Sequence, residues 1–407
     1  MDQVGGTKMD HADSTRPASR TLTRLTAQPP DAILELISLH AQDERERKID
    51  LGVGVYRDEA GVTPVFAAVK AAEDRLLRSQ TTKSYLGPEG DIEFFRRLLP
   101  LALGSDVAAE RVAGMQTPGG TGALRIGAEL IAAANPNARV HVGAPTWPNH
   151  APIFAAARLE LVEHPYLDPA NQTVRFGDMM AALEKAAARD VVLLHGCCHN
   201  PTGADLDAVQ WQAVARLCAE RGLLPFIDFA YHGLGDGLEA DRQGLACVAR
   251  HCPEAIVAYS CDKNFGLYRE RVGALFVLAA DRSDAALAQS NLLSLARANW
   301  SMPPDHGAAI VRLILEREEL SALWREELEN MRRRIAAMRE GLARLDPALA
   351  FLTRQKGMFS TLDLTPRQVA ALREEHAVYV AGTGRINIAG LAPHDLQAFA
   401  AALAAVR

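Results

Sequence analysis

The chain has 407 residues, of which 48% are hydrophobic, and it carries a formal net charge of −6 with a pI near 6.1. This length allows two or three domains. The acidic balance and the mixing of both charge signs along the chain argue against nucleic-acid binding. No run of about 18 apolar residues indicates a transmembrane helix.

The chain begins with a polar stretch. Its first 20 residues lack the apolar core of a signal peptide, so we expect residues 1–30 to form a flexible leader or an N-terminal arm. The cysteines form no CxxC pair and no small disulfide framework, which favours a reduced, cytoplasmic setting. They are Cys197, Cys198, Cys218, Cys247, Cys252 and Cys261.

Five short apolar runs, each ending in a polar or glycine-rich turn, predict strands. They span 138–145, 191–196, 223–231, 255–261 and 272–280. Their apolar residues are continuous rather than alternating, and helix-like segments lie between them, which is typical of a parallel sheet covered by helices on both faces. The sequence therefore predicts an α/β fold, and in such folds ligands bind beyond the carboxyl ends of the strands.

The helix-like segment 206–222 shows why helices are expected between these strands. Its apolar residues recur at helical spacing and a glycine ends the pattern. These positions are Leu206, Val209, Val214, Leu217 and Gly222.

A longer charged amphipathic helix is predicted over 316–345. We expect it to connect the sheet to a C-terminal part, in which 358–364 ("MFSTLDL") and 385–390 ("RINIAG") are strand-like. The cationic run at 332–334 is expected to be a solvated face of this helix.

Groups suited to phosphate and carbonyl chemistry follow these strands. The turn "TPGGTGALR" at 117–125 opens a helix, whose backbone N–H groups and dipole favour a phosphate; a plain tight turn is the alternative. Asp228 ends an apolar strand, where a buried carboxylate needs a cationic partner. Asn200 precedes a proline in a rigid turn, and Lys263 and Arg271 lie between two strands.

This set of groups suits a phosphorylated pyridine aldehyde. Lys263 can form an imine with the aldehyde, Asp228 can keep the ring nitrogen protonated, and the glycine-rich turn with Arg271 can neutralise the phosphate. Arg269 is expected on a solvated turn.

The segment "HGCCH" at 195–199 raises the alternative of a zinc site. Five consecutive residues do not readily surround a tetrahedral ion, and no second cluster completes a site. We therefore predict no metal, and we expect Cys197 and Cys198 to be packed, unreactive thiols.

Eight ordered motifs give the chain a specific family resemblance. They are "LGVGVYRDEAGVTPV", "KSYLGPEG", "TPGGTGALR", "PTWPNH", "HGCCHNPTG", "FIDFAYHG", "SCDKNFGLYRERVG" and "GRINIAG". From about Pro29 to the C-terminus, the chain resembles the aspartate and aromatic amino-acid aminotransferases, which are pyridoxal-phosphate enzymes of fold type I. The resemblance implies a large domain with a mostly parallel seven-stranded sheet between helices, and a smaller α/β domain.

The resemblance also implies roles around the pyridine ring. Lys263 would be the Schiff-base lysine and the proton shuttle. Asp228 would pair with the pyridinium nitrogen, with His150 behind it. Asn200 and Tyr231 would hydrogen-bond the phenolic oxygen of the ring.

Further roles concern the ring face, the phosphate and the substrate. Trp147 would stack on the ring, and Arg385 would clamp the substrate α-carboxylate as a bidentate fork. Gly54 would leave room beside the substrate. Arg297 of the neighbouring subunit would meet a distal carboxylate. The phosphate would be held by Gly120, Thr121, Ser260 and Arg271, with Tyr85 from the neighbouring subunit.

The resemblance implies a homodimer with shared active sites and a division into two domains. The large domain would span 64–331, and the small domain would combine 31–63 with 332–407.

Two positions depart from the family pattern. Met302 stands where asparagine is usual, near the distal end of the substrate; this is either neutral drift or a shift toward a bulky or apolar side chain. Asp262 replaces a usual serine immediately before Lys263. On an extended segment it should point away from the lysine, whereas an inward carboxylate would raise the lysine pKa and oppose the phosphate.

The leading functional hypothesis is ping-pong transfer of an amino group between an aspartate or aromatic L-amino acid and 2-oxoglutarate, through an imine on Lys263. Met302 and Asp262 motivate the alternative of a specialised relative that acts on an unusual amino acid, by transamination, decarboxylation, elimination or oxidation. A transcriptional regulator on this fold is disfavoured, because the leader is too short for a winged-helix domain.

Overall fold

The computed structural model describes residues 21–27 and 32–407. The strands are β1 Ile49–Asp50, β2 Val112–Pro118, β3 Arg139–Ala144, β4 Glu160–Pro165, β5 Leu167–Asp168, β6 Thr173–Val174, β7 Val191–His195, β8 Leu224–Phe229, β9 Ala255–Ser260, β10 Val272–Leu278, β11 Phe359–Thr361, β12 Val378–Tyr379 and β13 Arg385–Asn387.

The α-helices are α1 Ala32–Gln42, α2 Ala67–Ser79, α3 Ile92–Leu103, α4 Gly119–Ala134, α5 His150–Ala156, α6 Phe176–Leu183, α7 Ala208–Arg221, α8 Leu238–Asp241, α9 Gln243–His251, α10 Arg282–Asn299, α11 His306–Glu316, α12 Glu318–Leu345, α13 Pro366–His376 and α14 Leu396–Val406. Short 3-10 helices span Thr21–Arg24, Ala109–Arg111, Pro347–Arg354, Ile388–Gly390 and Pro393–Asp395.

Seven strands form the central sheet in the order β2-β10-β9-β8-β7-β3-β4. Strand β10 is antiparallel to both of its neighbours, and the remaining pairs are parallel. Six strands therefore end at one edge of the sheet, and β10 begins at that same edge. The prediction of an α/β fold with a mostly parallel seven-stranded sheet is confirmed.

The sheet separates two hydrophobic clusters. Successive strand side chains point to opposite faces, so Ile227 packs in one cluster and its neighbour Phe226 in the other. On β9, Val257 and Ile256 divide in the same way. Burial on both faces explains why the apolar runs are continuous in the sequence.

The five predicted strands correspond to β3, β7, β8, β9 and β10, and the two C-terminal ones to β11 and β13. Helix α7 begins at a capping box formed by Asp207 and Gln210, and it ends at Gly222 in the left-handed conformation. Val209 is exposed rather than buried, because Trp211 and Cys218 take the inner face of this helix.

The C-terminal part packs against segments near the start of the chain. The long charged helix predicted over 316–345 is α12, and Arg332 and Arg333 on it pair with Glu329. Strand β1 pairs with β12 in parallel, and β11 pairs with β13. Distant parts of the sequence are thereby joined beside the central sheet.

Of the predicted leader, residues 1–30, only residues 21–27 are described, so its predicted flexibility stays a prediction. Within 21–27 and 32–407, no helix is long and apolar enough to cross a membrane.

Candidate active site

A cavity of about 220 Å³ lies at the sheet edge where the parallel strands end. Asp228 is near the end of β8, Ser260 ends β9, and α4 begins directly after β2. Because β10 runs in the opposite direction, Arg271 reaches the same edge immediately before that strand. The predicted site residues that line the cavity are Gly54, Gly120, Thr121, Trp147, Asn200, Asp228, Tyr231, Ser260, Lys263, Arg271 and Arg385.

Asp228 is held as an anion at the cavity floor. Its Oδ2 lies 3.0 Å from His150 Nε2, and both side chains are buried. Burial raises the pKa of the Asp228 carboxyl, but the His150 hydrogen bond and the nearby positive groups outweigh this effect and lower it. The edge of the His150 ring faces Trp147, with ring centroids 5.3 Å apart.

A hydroxyl orders the ring behind Asp228. Thr146 Oγ1 lies 2.9 Å from His150 Nδ1 and 3.0 Å from His195 Nε2. Burial, followed by the proximity of His150, lowers the pKa of His195 to about 3, so this ring is neutral at physiological pH. Thr146 therefore bridges two imidazoles and fixes the orientation of the one that contacts the carboxylate.

Asn200 and Tyr231 form a pair of polar groups on the cavity wall. Asn200 Nδ2 donates to the Tyr231 hydroxyl at 3.1 Å. Burial, and secondarily the Asp228 charge, raises the pKa of Tyr231, so its hydroxyl stays protonated. Together they can present donors to a single oxygen atom.

Lys263 is half-buried between these groups, and its Nζ lies 5.5 Å from the centroid of the Tyr231 ring. Burial lowers the pKa of this lysine; Asp262 and Asp228 oppose that effect, and Arg271 adds to it. Neighbouring Arg271 thus lowers the pKa of Lys263 as expected, but burial lowers it more.

The glycine-rich turn forms a narrow cradle at the start of α4. Gly119 has a φ of +69°, and a Cβ there would lie 2.6 Å from Arg271 Nη2. A Cβ on Gly120 would come within 3.0 Å of Ser260 Cβ. The lack of side chains therefore lets the start of α4 pack directly against Arg271 and Ser260, and the backbone N–H groups at a helix start favour an anion.

Asp262 lines the same cavity as Lys263, so the expectation that it points away from the lysine is wrong. Strand β9 ends at Ser260, and Asp262 lies in the following turn, where the alternation of an extended strand no longer applies. Its side chain is buried in the cavity wall and forms an ion pair with Arg271. Arg269, by contrast, is exposed as expected.

Arg385 reaches the cavity from β13 beside an aromatic ring. Its Nη2 donates to the Gly52 carbonyl at 2.8 Å, and its guanidinium lies 4.6 Å from the Phe359 ring centroid. Its buried Nε has no hydrogen-bond partner among the described residues. A Cβ on Gly54 would lie 2.8 Å from Phe359 Cζ, so a side chain there would displace this ring.

Two predicted residues lie outside the cavity of their own chain. Tyr85 is 93% exposed. Arg297 is also exposed and contacts Ser301 near the end of α10. Met302 lies close to Tyr85, since its Sδ is 3.0 Å from the backbone nitrogen of Leu86. Their predicted roles in a neighbouring active site stay predictions.

The segment 195–199 brings two thiols, rather than its histidines, to a carboxylate. Ligand atoms of Cys197, Cys198 and Asp241 lie within 4.8 Å of one another. However, Asp241 accepts backbone N–H bonds from Gly233, Gly235 and Asp236. Burial raises the pKa of Cys198 to about 12, so a thiolate ligand is disfavoured. The Asp241 carboxylate therefore closes the loop at residues 233–236. The absence of a metal stays a prediction.

Sequence reasoning did not identify several residues of the site. Thr146 belongs to the quoted motif "PTWPNH", but nothing in the sequence shows whether its hydroxyl bridges two histidine rings or caps a helix. Tyr268 lines the cavity and accepts from the Tyr56 backbone nitrogen at 3.0 Å. Phe359 is an ordinary apolar position of a short strand, and only the tertiary structure places it beside Arg385.

The family model for aminotransferase class I and II matches residues 46–403, and the chain belongs to this family. Its predicted fold type and activity class are therefore confirmed: it is an aminotransferase of the aspartate and aromatic amino-acid group.

Individual relatives cover nearly the whole chain. It is 52% identical to a tyrosine aminotransferase of Rhizobium meliloti, over 90% of this chain and 95% of that one. It is 47% identical to an aspartate aminotransferase of Salmonella typhi, over 94% and 99% of the respective chains. An aromatic-amino-acid aminotransferase of Burkholderia pseudomallei, covalently bound to pyridoxal phosphate, superposes with a TM-score of 0.93 at 41% identity, over 95% of this chain and 99% of that one.

The residues of the cavity fit pyridoxal phosphate, and the prediction of this cofactor is confirmed by the family and its solved relative. Gly119 and Gly120 bring the start of α4 against Arg271 and Ser260 at the cavity wall, so backbone N–H groups, a guanidinium and a hydroxyl that suit a phosphate lie together. The buried acceptor Asn200 Oδ1 lacks a partner among the described residues. Asp228, on the cavity floor, retains an ionised carboxylate that suits a protonated ring nitrogen.

Proposed function

We propose that this enzyme transfers the amino group between an aspartate or aromatic L-amino acid and 2-oxoglutarate by a ping-pong mechanism. One observation carries the proposal: the buried fork of Arg385 opens into the same cavity as Lys263 and Asp228. An unpaired guanidinium nitrogen in that place suits a carboxylate shared by all these substrates.

Pyridoxal phosphate, when bound, supplies an aldehyde that accepts the amino group and a ring that withdraws electrons from the substrate Cα. Asp228 supports that withdrawal by keeping the ring nitrogen protonated. Its lowered pKa and its bond to His150 favour the anion needed for this task.

Lys263 moves the proton at Cα. As a neutral amine, its Nζ would accept the proton from the substrate Cα and pass it to the cofactor carbon that bears the amino group, and the other half of the cycle would run this transfer in reverse. Burial promotes the neutral amine, while Asp262 and Asp228 restrain how far the pKa falls. Proton transfer thus depends on a balance between desolvation and two carboxylates.

Asn200 and Tyr231 would hold the phenolic oxygen of the cofactor, and Trp147 would stack on its ring. The protonated Tyr231 hydroxyl and the Asn200 amide can donate to that oxygen together. Gly120, Thr121, Ser260 and Arg271 line the cavity and would hold the phosphate, and Tyr85 of a neighbouring subunit would help them.

Arg385 binds the substrate α-carboxylate. The ring of Phe359 orients the Arg385 guanidinium through a cation–π contact. Gly54 keeps that ring in place because a side chain there would displace it. Arg297 of a neighbouring subunit meets the distal carboxylate of aspartate or 2-oxoglutarate. The tyrosine and aspartate aminotransferases among the relatives support both substrate classes.

We further propose a cytoplasmic homodimer whose subunits share their active sites. The exposure of Tyr85 and Arg297 in the single chain supports this arrangement. The free state of the described cysteines agrees with a reducing compartment. Pairing of β1 with β12 supports a small domain made of 31–63 and 332–407 beside a large domain of 64–331.

A donor and acceptor panel tests the proposal. Aspartate, tyrosine and phenylalanine are each supplied to the holoenzyme with 2-oxoglutarate, oxaloacetate or phenylpyruvate, and the oxo-acid and amino-acid products are quantified. Half-reactions without an acceptor should convert the cofactor stoichiometrically to its amine form. Release of carbon dioxide, ammonia or an oxidised product in place of that conversion would reject the proposal.

A further inference from the structure

The ion pair between Asp262 and Arg271 occupies the place where the cofactor phosphate is expected. Asp262 Oδ2 contacts Arg271 Nη1. An ideal Cβ on Gly119 would lie 2.6 Å from Arg271 Nη2 and 3.3 Å from the same Asp262 oxygen. The carboxylate, the guanidinium and the first residue of α4 thus meet at one point of the cavity wall.

The carboxylate is only partly satisfied in this position. Asp262 is 3% exposed, and its Oδ1 has no hydrogen-bond partner among the described residues. Its backbone nitrogen donates to Ser260 Oγ at 3.2 Å, which holds the side chain on the cavity side of the turn. A buried carboxylate with one unpaired oxygen depends on its single cationic partner.

Arg271 has no other acidic partner among the described side chains, and its second bond from Nη1 goes to the Tyr268 carbonyl at 2.8 Å. A phosphate in the cradle would therefore share this guanidinium with a carboxylate. Two anions that share one guanidinium repel each other unless one of them moves away. The serine that is usual here would instead be neutral.

We propose that Asp262 is a built-in competitor of the cofactor phosphate for Arg271, and that it weakens retention of the cofactor. The inference rests on the proposed function of this cavity and deepens it. The bound phosphate must loosen the Asp262–Arg271 pair, whereas a neutral residue at 262 would leave the guanidinium free. The enzyme should consequently exchange its cofactor more readily than a variant with serine at this position.

Equilibrium binding of pyridoxamine 5′-phosphate tests this inference without relying on turnover. This ligand carries the phosphate and ring but no aldehyde, so its affinity excludes the covalent bond to Lys263. Full-length wild-type protein, Asp262→Ser and Asp262→Asn are freed of cofactor with a hydrazine, which captures the aldehyde without enzymatic turnover, and are then dialysed. Each is then titrated by calorimetry.

We expect both variants to bind the ligand about tenfold more tightly or better, and to lose it more slowly on dilution. Glu270→Gln is the matched control, because it removes an equal charge from the same loop and Glu270 does not line the cavity. This control should bind like the wild type.

The outcomes separate the inference from the function on which it rests. If the ligand binds wild type and Asp262→Ser within twofold of each other, the cofactor assignment stands and the competition is rejected. If no protein binds the ligand, both are rejected. An equal gain in Glu270→Gln would show a general charge effect and would also reject competition at Arg271.

Discussion

His150 Nε2 lies 3.0 Å from Asp228 Oδ2, and Thr146 holds the opposite side of the same ring. This contact joins Asp228, which we assign to the ring nitrogen of the cofactor, to a buried network behind it. Burial raises the pKa of this carboxyl, but that hydrogen bond and the nearby positive groups together outweigh burial and lower the pKa.

Replacing His150 with asparagine should raise the pKa of Asp228. The carboxylate would then gain a proton at a higher pH, so the acid limb of the profile of kcat/KM against pH should move upward. His141→Asn is the matched control, since His141 is also buried and bonded to an aspartate, Asp190, at 3.0 Å but does not line the cavity. An unchanged acid limb in His150→Asn would contradict this role.

Replacing Arg385 with lysine should remove the planar fork that we assign to the substrate α-carboxylate. Loss of a charge-assisted bidentate contact predicts a fall in kcat/KM of about 10- to 100-fold for every amino donor. Steady-state kinetics with aspartate and tyrosine measure this effect. Arg269→Lys changes an exposed arginine and should leave the kinetics unchanged; equal behaviour of the two variants would argue against the assignment.

Alanine at Gly119 should be more harmful than alanine at Gly61. Both glycines have positive φ, +69° and +77°, so both substitutions strain the backbone, by about 1 kcal/mol. A Cβ at Gly61 meets open space, whereas one at Gly119 would collide with Arg271. Urea unfolding should show the larger loss for Gly119→Ala, and this variant alone should bind pyridoxamine 5′-phosphate more weakly.

Hybrid dimers test whether active sites are shared. Lys263→Ala disables the site of its own chain, and Arg297→Ala should disable dicarboxylate turnover in the neighbouring site. In a hybrid of the two, one site combines Lys263 from one chain with Arg297 from the other and should be intact. Co-expression with two affinity tags isolates this hybrid, and turnover of aspartate with 2-oxoglutarate measures it. Activity no higher than in either parent would refute sharing.

The sequence predicts which residues form the site better than it predicts the contacts between them. The five continuous apolar strands and the polar groups after them are readable because burial on both faces leaves a strong pattern. Strand β4 escapes notice because it is an edge strand in which Glu160, Glu163 and Pro165 are exposed and only His164 is fully buried. Strand β2 contains Gly114 and the polar pair Gln116 and Thr117, so it lacks an apolar run.

Asp262 shows why contacts beyond a strand end are hard to predict. The alternation rule that pointed it outward holds only for extended backbone, and the chain turns directly after Ser260. Which way a turn residue points depends on the tertiary partners it finds, here Arg271, nine positions later. Periodicity in the sequence carries no information on such a partner.

The antiparallel orientation of β10 fixes the spacing of the site in a way that side chains alone do not. Ser260 and Gly273 are directly paired across β9 and β10, so the segment between them is closed at both ends by the hydrogen-bond register. Lys263 and Arg271 both lie within this closed loop. Substitutions inside it change chemistry at fixed positions, but an insertion or deletion would shift the amine and the guanidinium relative to each other. A change of activity should therefore come from exchanging side chains within this loop, because a change in its length would displace Lys263 relative to Arg271.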